Sequence, residues 1–184
     1  MPSSRSRRSR TSEPFIVRTA TVEDAAAISR VRTLTWQSAY VHAFPRDRLD
    51  ALPEAEATEW VERAIREPSP HMHTLVAERG GRVVGFAGLG AAREEEGTGE
   101  LYAIYVLPEC AGAGVGQALM RQTLRRFGGA GFREAVLWVL EDNPRTRRFY
   151  ELGGWRADGG AKDEELLGTV VREVRYRIAL PPVS

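Results

Sequence analysis

The run LYAIYVLPECAGAGVGQALM, residues 101–120, decides how this sequence is read. Its first half is β-rich and stops at Pro108; its second half places glycine at 112, 114 and 116 and then turns into the start of an amphipathic helix. Inside a helix glycine is worse than alanine by roughly 0.5–1 kcal/mol, so three glycines at every second position must bring a compensating gain in backbone geometry. A strand, a glycine loop and a helix in that order offer one such gain. The helix N-terminus carries free N–H groups and partial positive charge, and without Cβ atoms the backbone comes within hydrogen-bonding distance of a pyrophosphate. Tight packing of a helix on a sheet is the other gain, and the glycines alone leave both open. A dinucleotide fold would want G-x-G-x-x-G after the chain's first strand, but Gln117 stands at the last glycine's place and the run lies past mid-chain. The G-K-[ST] of a P-loop is absent.

Working outward, FIVRTA (15–20) alternates as a short strand, and Thr21 followed by Asp24 three residues on marks a helix start. Ala25, Ile28, Val31, Leu34 and Thr35 recur at helical spacing, toward Trp36 and Tyr40. A second helix is expected over Glu54 to Ile65, before Pro68 and Pro70. TLVAERGGRVVGFAGLG (74–90) reads as a hairpin around Gly80-Gly81, AAREEEGTG (91–99) as a loop, and 100–108 as a strand bounded by proline. The helix after the glycines runs from about Val115 to Phe127 and ends at Gly128-Gly129. EAVLWVL (134–140) is a buried strand, NPRTRRFYELGG (143–154) a short helix with Asn143 at the cap and Pro144 at its first position, and VREVRYRIAL (171–180) a closing strand. The fold class is mixed α/β in the order β-α-α-β-β-β-α-β-α-β, with room for one further strand near Trp155.

At 184 residues, 42% of them hydrophobic, the chain supports one domain with a sizeable core. We expect residues 14–184 to form it, behind a disordered basic tail over 1–13 whose SSRSRRSR segment has nothing apolar to bury. Apart from the four arginines of the first ten residues, the chain carries 22 basic and 25 acidic residues, a balance that argues against a nucleic-acid-binding body. The apolar stretches are strand-sized, so neither a signal peptide nor a membrane span is expected. A single cysteine, Cys110, suits a reducing cytoplasm and reads as a small filler rather than an activated thiolate. His71 and His73 lack further ligands, so no metal is expected.

The opening run resembles the core motif of the GNAT superfamily of acyl-CoA-dependent N-acyltransferases, a strand ending V-x-P-x followed by [RQ]-x-x-G-x-[GA] and a helix. WVLEDNPRTRRFYELGGW (138–155) resembles that family's second block, a strand, an Asn and a helix ending F-Y-x-x-x-G-[FW]. The resemblance covers residues 15 to 180 or so. It implies a central, mostly antiparallel sheet flanked by helices, acetyl-CoA as co-substrate, and a homodimer as an admissible assembly. It also implies that the backbone of Gly112, Ala113, Gly114, Val115, Gly116 and Gln117 cradles the CoA pyrophosphate, and that the strand ending at Tyr105 and Val106 pairs with the pantetheine arm. Asn143 and Arg147 are assigned to the cofactor with them. One departure stands out: the family's Arg or Gln at the head of the loop is Ala111 here, which removes a side-chain contact and leaves the grip to main-chain N–H groups.

Acyl transfer to an amine needs an uncharged nucleophile, a polarised carbonyl and a proton for the departing thiolate. Tyr150 matches the family's tyrosine and is assigned as general acid; its other reading is an aromatic anchor. Glu100 is the candidate base, in competition with Glu94 to Glu96 and Glu141, and a backbone N–H near Val106 is the candidate polariser. Trp36 and Tyr40, one helical turn apart, and Tyr102 are assigned to the acceptor, as an aromatic wall or cation–π partners, or else to simple core packing. The acceptor is then a small-molecule or peptide primary amine. A CoA-binding module without turnover, kept open by Ala111, is the alternative.

Overall fold

The computed structural model describes residues 14–67 and 72–181. The expected tail 1–13 and His71 lie outside the described residues. Strands β1 (Phe15–Thr19), β2 (Met72–Arg79), β3 (Arg82–Ala91), β4 (Gly99–Val106), β5 (Glu134–Leu140), β6 (Arg156–Leu166) and β7 (Thr169–Ala179) form one seven-stranded sheet in the order β1-β2-β3-β4-β5-β7-β6. Every neighbouring pair is antiparallel except β4 with β5. The helices are α1 (Ala25–Ala39), α2 (Arg46–Asp50), α3 (Glu54–Arg66), α4 (Val115–Gly129) and α5 (Pro144–Leu152).

Adjacent residues of β3 show how the layers divide. A Cβ added at Gly85 would lie 3.2 Å from Val115 and Leu119 of α4, so this glycine lets α4 sit directly on the sheet. The next residue, Phe86, borders a second cavity of about 510 Å³ with Ile28 of α1 and Val61 of α3. Successive side chains of a strand point to opposite faces, so α4 covers one face and α1 with α3 the other. On α4 the buried residues Val115, Leu119, Met120, Thr123 and Phe127 make one stripe at helical spacing; full burial of an apolar side chain of that size contributes roughly 1.5–3 kcal/mol. At the start of α1 the Thr21 N–H donates to Asp24 Oδ2 at 2.8 Å, fulfilling the start signal.

Two elements go beyond the expected order. The short α2 was not anticipated, and β6 is an 11-residue strand that the sequence marks only faintly near Trp155. Its sequence RADGGAKDEEL is polar because β6 lies at the sheet edge with most of its residues exposed, so no apolar alternation betrays it.

The feature that positions the site is a bulge in β4. Gly88 pairs with Ala103 and the following Leu89 with Leu101, which leaves Tyr102 without a partner on β3. A bulge bends its strand. Below it, Gly99, Glu100 and Leu101 pair with Ala135, Val136 and Leu137 of β5; above it the two strands no longer pair. Their upper halves part, and a cleft opens in the middle of the sheet.

Candidate active site

A cavity of about 360 Å³ fills this cleft, between the upper halves of β4 and β5, the loop before α4, the inner face of α5 and the end of α1. The glycine loop forms its floor. Gly112 and Gly114 adopt left-handed φ of 77° and 81°, and Gly114 is the N-cap of α4. Side-chain-bearing residues are strained there, which is one reason for the glycines. Gly116 differs: its added Cβ would make ordinary 3.4 Å contact with Phe149. The first intrahelical bond at this end runs from Ala118 N–H to the Gly114 carbonyl, so the N–H groups of Val115, Gly116 and Gln117 have no partner within α4. That is an anion-binding terminus facing a cleft.

Of the residues expected at the cofactor, Tyr105, Val106, Ala111, Gly112, Gly114, Gly116 and Gln117 line the cavity. Ala113 does not, and the Val115 side chain is in the core, so only its backbone is available. Asn143 and Arg147 are also outside the lining. The Asn143 Oδ1 accepts from the Thr146 N–H at 3.1 Å and caps α5. Arg147 donates to the Tyr176 hydroxyl at 3.1 Å and to the Glu141 carbonyl at 3.0 Å. Arg145 and Thr146 face the cavity instead. Thr146 lies one helical turn before Tyr150, a spacing that would have found it.

Tyr150 lines the cavity and is otherwise buried, its ring held by Phe149, Trp155 and Tyr176 at centroid distances of 5.4, 6.3 and 6.4 Å. Burial holds its phenol pKa far above the usual tyrosine value, so the hydroxyl keeps its proton at any physiological pH. Among the described residues nothing hydrogen-bonds that hydroxyl.

Trp36, Tyr40 and Tyr102 line the cavity too. Trp36 meets Tyr40 edge-on at 5.1 Å and stacks on Phe44 at 5.8 Å, so these rings are both a small core and a cavity wall. A cation already sits against Trp36, the Arg32 guanidinium at 4.9 Å from the ring centroid. The Trp36 indole N–H is buried without a hydrogen-bond partner among the described residues. The Tyr102 hydroxyl donates to the Ala91 carbonyl and is engaged there.

Glu100 does not line the cavity. Its carboxylate is almost wholly enclosed and accepts from the Arg93 backbone N–H at 2.9 Å, from Nε at 3.1 Å and from Nη2. The acid that does reach the cavity is Glu173 of β7, which sequence reasoning passed over. The available signal was a lone carboxylate sharing its strand face with Arg175 and Arg177 in an otherwise apolar and basic strand. Cys110 and Trp138 also join the lining.

Comparison with known proteins agrees with this architecture. Residues 33–154 match the Acetyltransferase (GNAT) family. An uncharacterised N-acetyltransferase of Bacillus subtilis (strain 168), YuaI, is 33% identical over 162 residues, which span 86% of this chain and 89% of that protein. Among solved structures, the PaiA N-acetyltransferase of Thermoplasma acidophilum in complex with coenzyme A has the same fold, with a TM-score of 0.72 at 18% identity over 90% of this chain and 99% of that one. YncA of Salmonella typhimurium, solved with its cofactor acetyl-CoA, gives 0.68 at 22% identity over 93% and 96%. The chain belongs to the GNAT family and is an N-acetyltransferase.

Proposed function

We propose that the protein transfers the acetyl group of acetyl-CoA to a primary amine by direct attack, with Tyr150 as the proton donor. The observation that carries this reading is the parting of β4 from β5 above Leu101, which brings an unpaired strand edge, an anion-binding helix terminus and a protonated phenol into one cavity. These features suit the donor: unpaired N–H groups at 115–117 for a pyrophosphate, and the free edge of Tyr102–Val106 for an amide-bearing arm. Acetyl-CoA supplies the acetyl group already activated as a thioester.

The chain's own groups supply the rest. A phenol whose pKa is raised this far is a poor acid toward a thiolate in water. The burial that raises the phenol also destabilises a thiolate formed beside it, which makes the thiolate more basic and favours transfer. Glu100, bound by Arg93, serves in this reading to hold the loop 92–98 against β4. The test is release of free CoA thiol from acetyl-CoA over a panel of primary amines, together with the melting temperature in acetyl-CoA. The reading expects thiol release dependent on amine and a higher melting temperature, because a ligand selective for the folded state stabilises it by mass action. A chain that neither releases thiol nor is stabilised by millimolar acetyl-CoA would refute it.

A further inference from the structure

Direct attack requires the acceptor to arrive at the thioester without the proton that makes it an ammonium, and with Glu100 occupied some other group must take that proton. Among the described residues Glu173 is the one carboxylate in the cavity lining. It stands opposite Leu140 of β5 on one side and Lys162 of β6 on the other, at the rim where β7 approaches the parted strands. Lys162 Nζ is 3.7 Å from the Glu173 carboxylate, 3.4 Å from that of Glu164 and 3.7 Å from that of Glu94. The same ammonium lies 4.4 Å from the Trp138 ring centroid. From α1 and β4, Tyr40 and Tyr105 are near enough to feel the Glu173 charge. On β7 itself, Arg175 is turned to Asp158 and Glu95. Three carboxylates therefore surround one lysine, so the β6–β7 side of the rim keeps an excess of negative charge beside the Trp138 ring, while Arg145 of α5 lines the cavity as well.

We propose that Glu173 receives the acceptor: its carboxylate anchors the incoming ammonium and takes one proton from it, and the rim selects a primary amine on an aromatic or apolar body with no carboxylate beside the nitrogen. The inference rests on the acetyl transfer proposed above. In the balanced step, R–NH3+ gives one proton to Glu173, the free nitrogen forms a C–N bond to the acetyl carbon, and the C–S bond breaks. Sulfur takes the Tyr150 proton, the second amine proton replaces it on Tyr150 through solvent, and Glu173 returns its proton to water, so one proton is released per turnover. Burial, reinforced by Glu164, pushes the Glu173 pKa up, while Lys162 pulls it down. A carboxylate tuned upward is the better proton acceptor for an ammonium.

The experiment uses the whole chain, acetyl-CoA, and two amines that differ by one group, phenethylamine and phenylalanine. Wild type is expected to favour phenethylamine by at least about tenfold in kcat/KM, because Glu173 and the acids around Lys162 repel the second amine's carboxylate at the place where its ammonium is received. Glu173→Gln is expected to lower kcat/KM for phenethylamine roughly 10²-fold, to erase the fall of kcat/KM at acid pH, and to leave the acetyl-CoA melting shift unchanged. Glu173→Asp keeps the acid limb at reduced rate, which separates lost chemistry from lost folding. Lys162→Met moves the limb to higher pH, because a cation that lowers the Glu173 pKa is gone. A wild type that acetylates amines while Glu173→Gln follows the same pH curve overturns this inference and leaves the proposed transfer standing. Equal use of both amines overturns the acceptor class. A wild type that binds acetyl-CoA and acetylates no amine overturns both.

Discussion

Arg93 and Glu100 face each other across the mouth of the β3–β4 loop, and the arginine satisfies both carboxylate oxygens of its partner, through its backbone N–H and through its guanidinium. An enclosed carboxylate with several donors is a structural fastening, and it is costly to disturb because the remaining groups stay desolvated. Glu100→Gln should therefore lower stability by roughly 1–3 kcal/mol in denaturant titrations, while kcat changes less than tenfold. A hundredfold loss of kcat at unchanged stability would return Glu100 to the role of base.

Tyr150→Phe removes one hydroxyl and keeps the ring among Phe149, Trp155 and Tyr176. Because no described group hydrogen-bonds that hydroxyl, folding stability and acetyl-CoA affinity should barely move. Turnover should fall by roughly 10²-fold, with the smallest deficit at low pH, where solvent supplies protons. Steady-state kinetics across pH for both proteins decides this; equal curves would make Tyr150 a packing residue.

The glycines of the loop are expected to differ in what they tolerate. At Gly114 an added Cβ meets only Gln117 Oε1 at 3.7 Å, so the cost of Gly114→Ala is conformational, about 1–2 kcal/mol for a left-handed alanine. Relief of that strain would re-aim the N–H groups of the first helical turn and weaken stabilisation by acetyl-CoA. Gly116→Ala, whose new methyl makes ordinary contact with Phe149, should stay within about 0.5 kcal/mol of wild type. Melting curves with and without acetyl-CoA would show the contrast, and a Gly114→Ala protein that melts and responds like wild type would contradict it.

Acid should loosen the start of α1 before the rest. The Asp24 carboxylate accepts from both Arg18 terminal nitrogens, at 2.7 and 2.9 Å, and Arg18 foremost pulls its pKa below the usual 3.8. A carboxylate whose folded pKa is depressed contributes stability that is complete above its unfolded value and is lost as pH falls through the folded one. The contribution of Asp24 is therefore intact above about pH 4 and disappears below it. Asp24→Asn should lower stability at neutral pH and flatten its decline below about pH 4, as read by urea unfolding at each pH. An unchanged decline would assign the acid sensitivity to other groups.

Much of the frame was legible because each signal was local. Thr21 with Asp24, Gly80-Gly81, Pro108 with the three glycines, and Asn143-Pro144 each fix an element boundary through backbone chemistry within a few residues. The cavity floor and Tyr150 followed for the same reason. What escaped was decided at a distance. β6 is polar because only the far edge of the sheet needed it, and Glu173 reaches the cavity because β7 inserts between β5 and β6, an arrangement that no alternation along 171–180 encodes. Glu100 looked available because its strand end is polar; the partner that encloses it comes from a loop seven residues earlier. The bond from Arg147 to the Tyr176 hydroxyl is likewise made at a distance, across 29 residues of sequence.

Three residue pairs, Gly99 to Leu101 against Ala135 to Leu137, hold the four-stranded and three-stranded parts of the sheet together. In mechanical terms these are two plates sharing a short weld, and the opposite end is free to breathe. A molecule lying along the gap and bonding to the bare edge of β4 acts as a clamp across the weld line. Occupancy should then be felt at Trp138–Leu140 as well as at Tyr102–Val106, with amide exchange slowing in both plates at once. Assembly of the groups proposed for catalysis on α5 and β7 would thereby become a property of the loaded protein, because a donor bound there supplies the stiffness that the missing hydrogen bonds withhold.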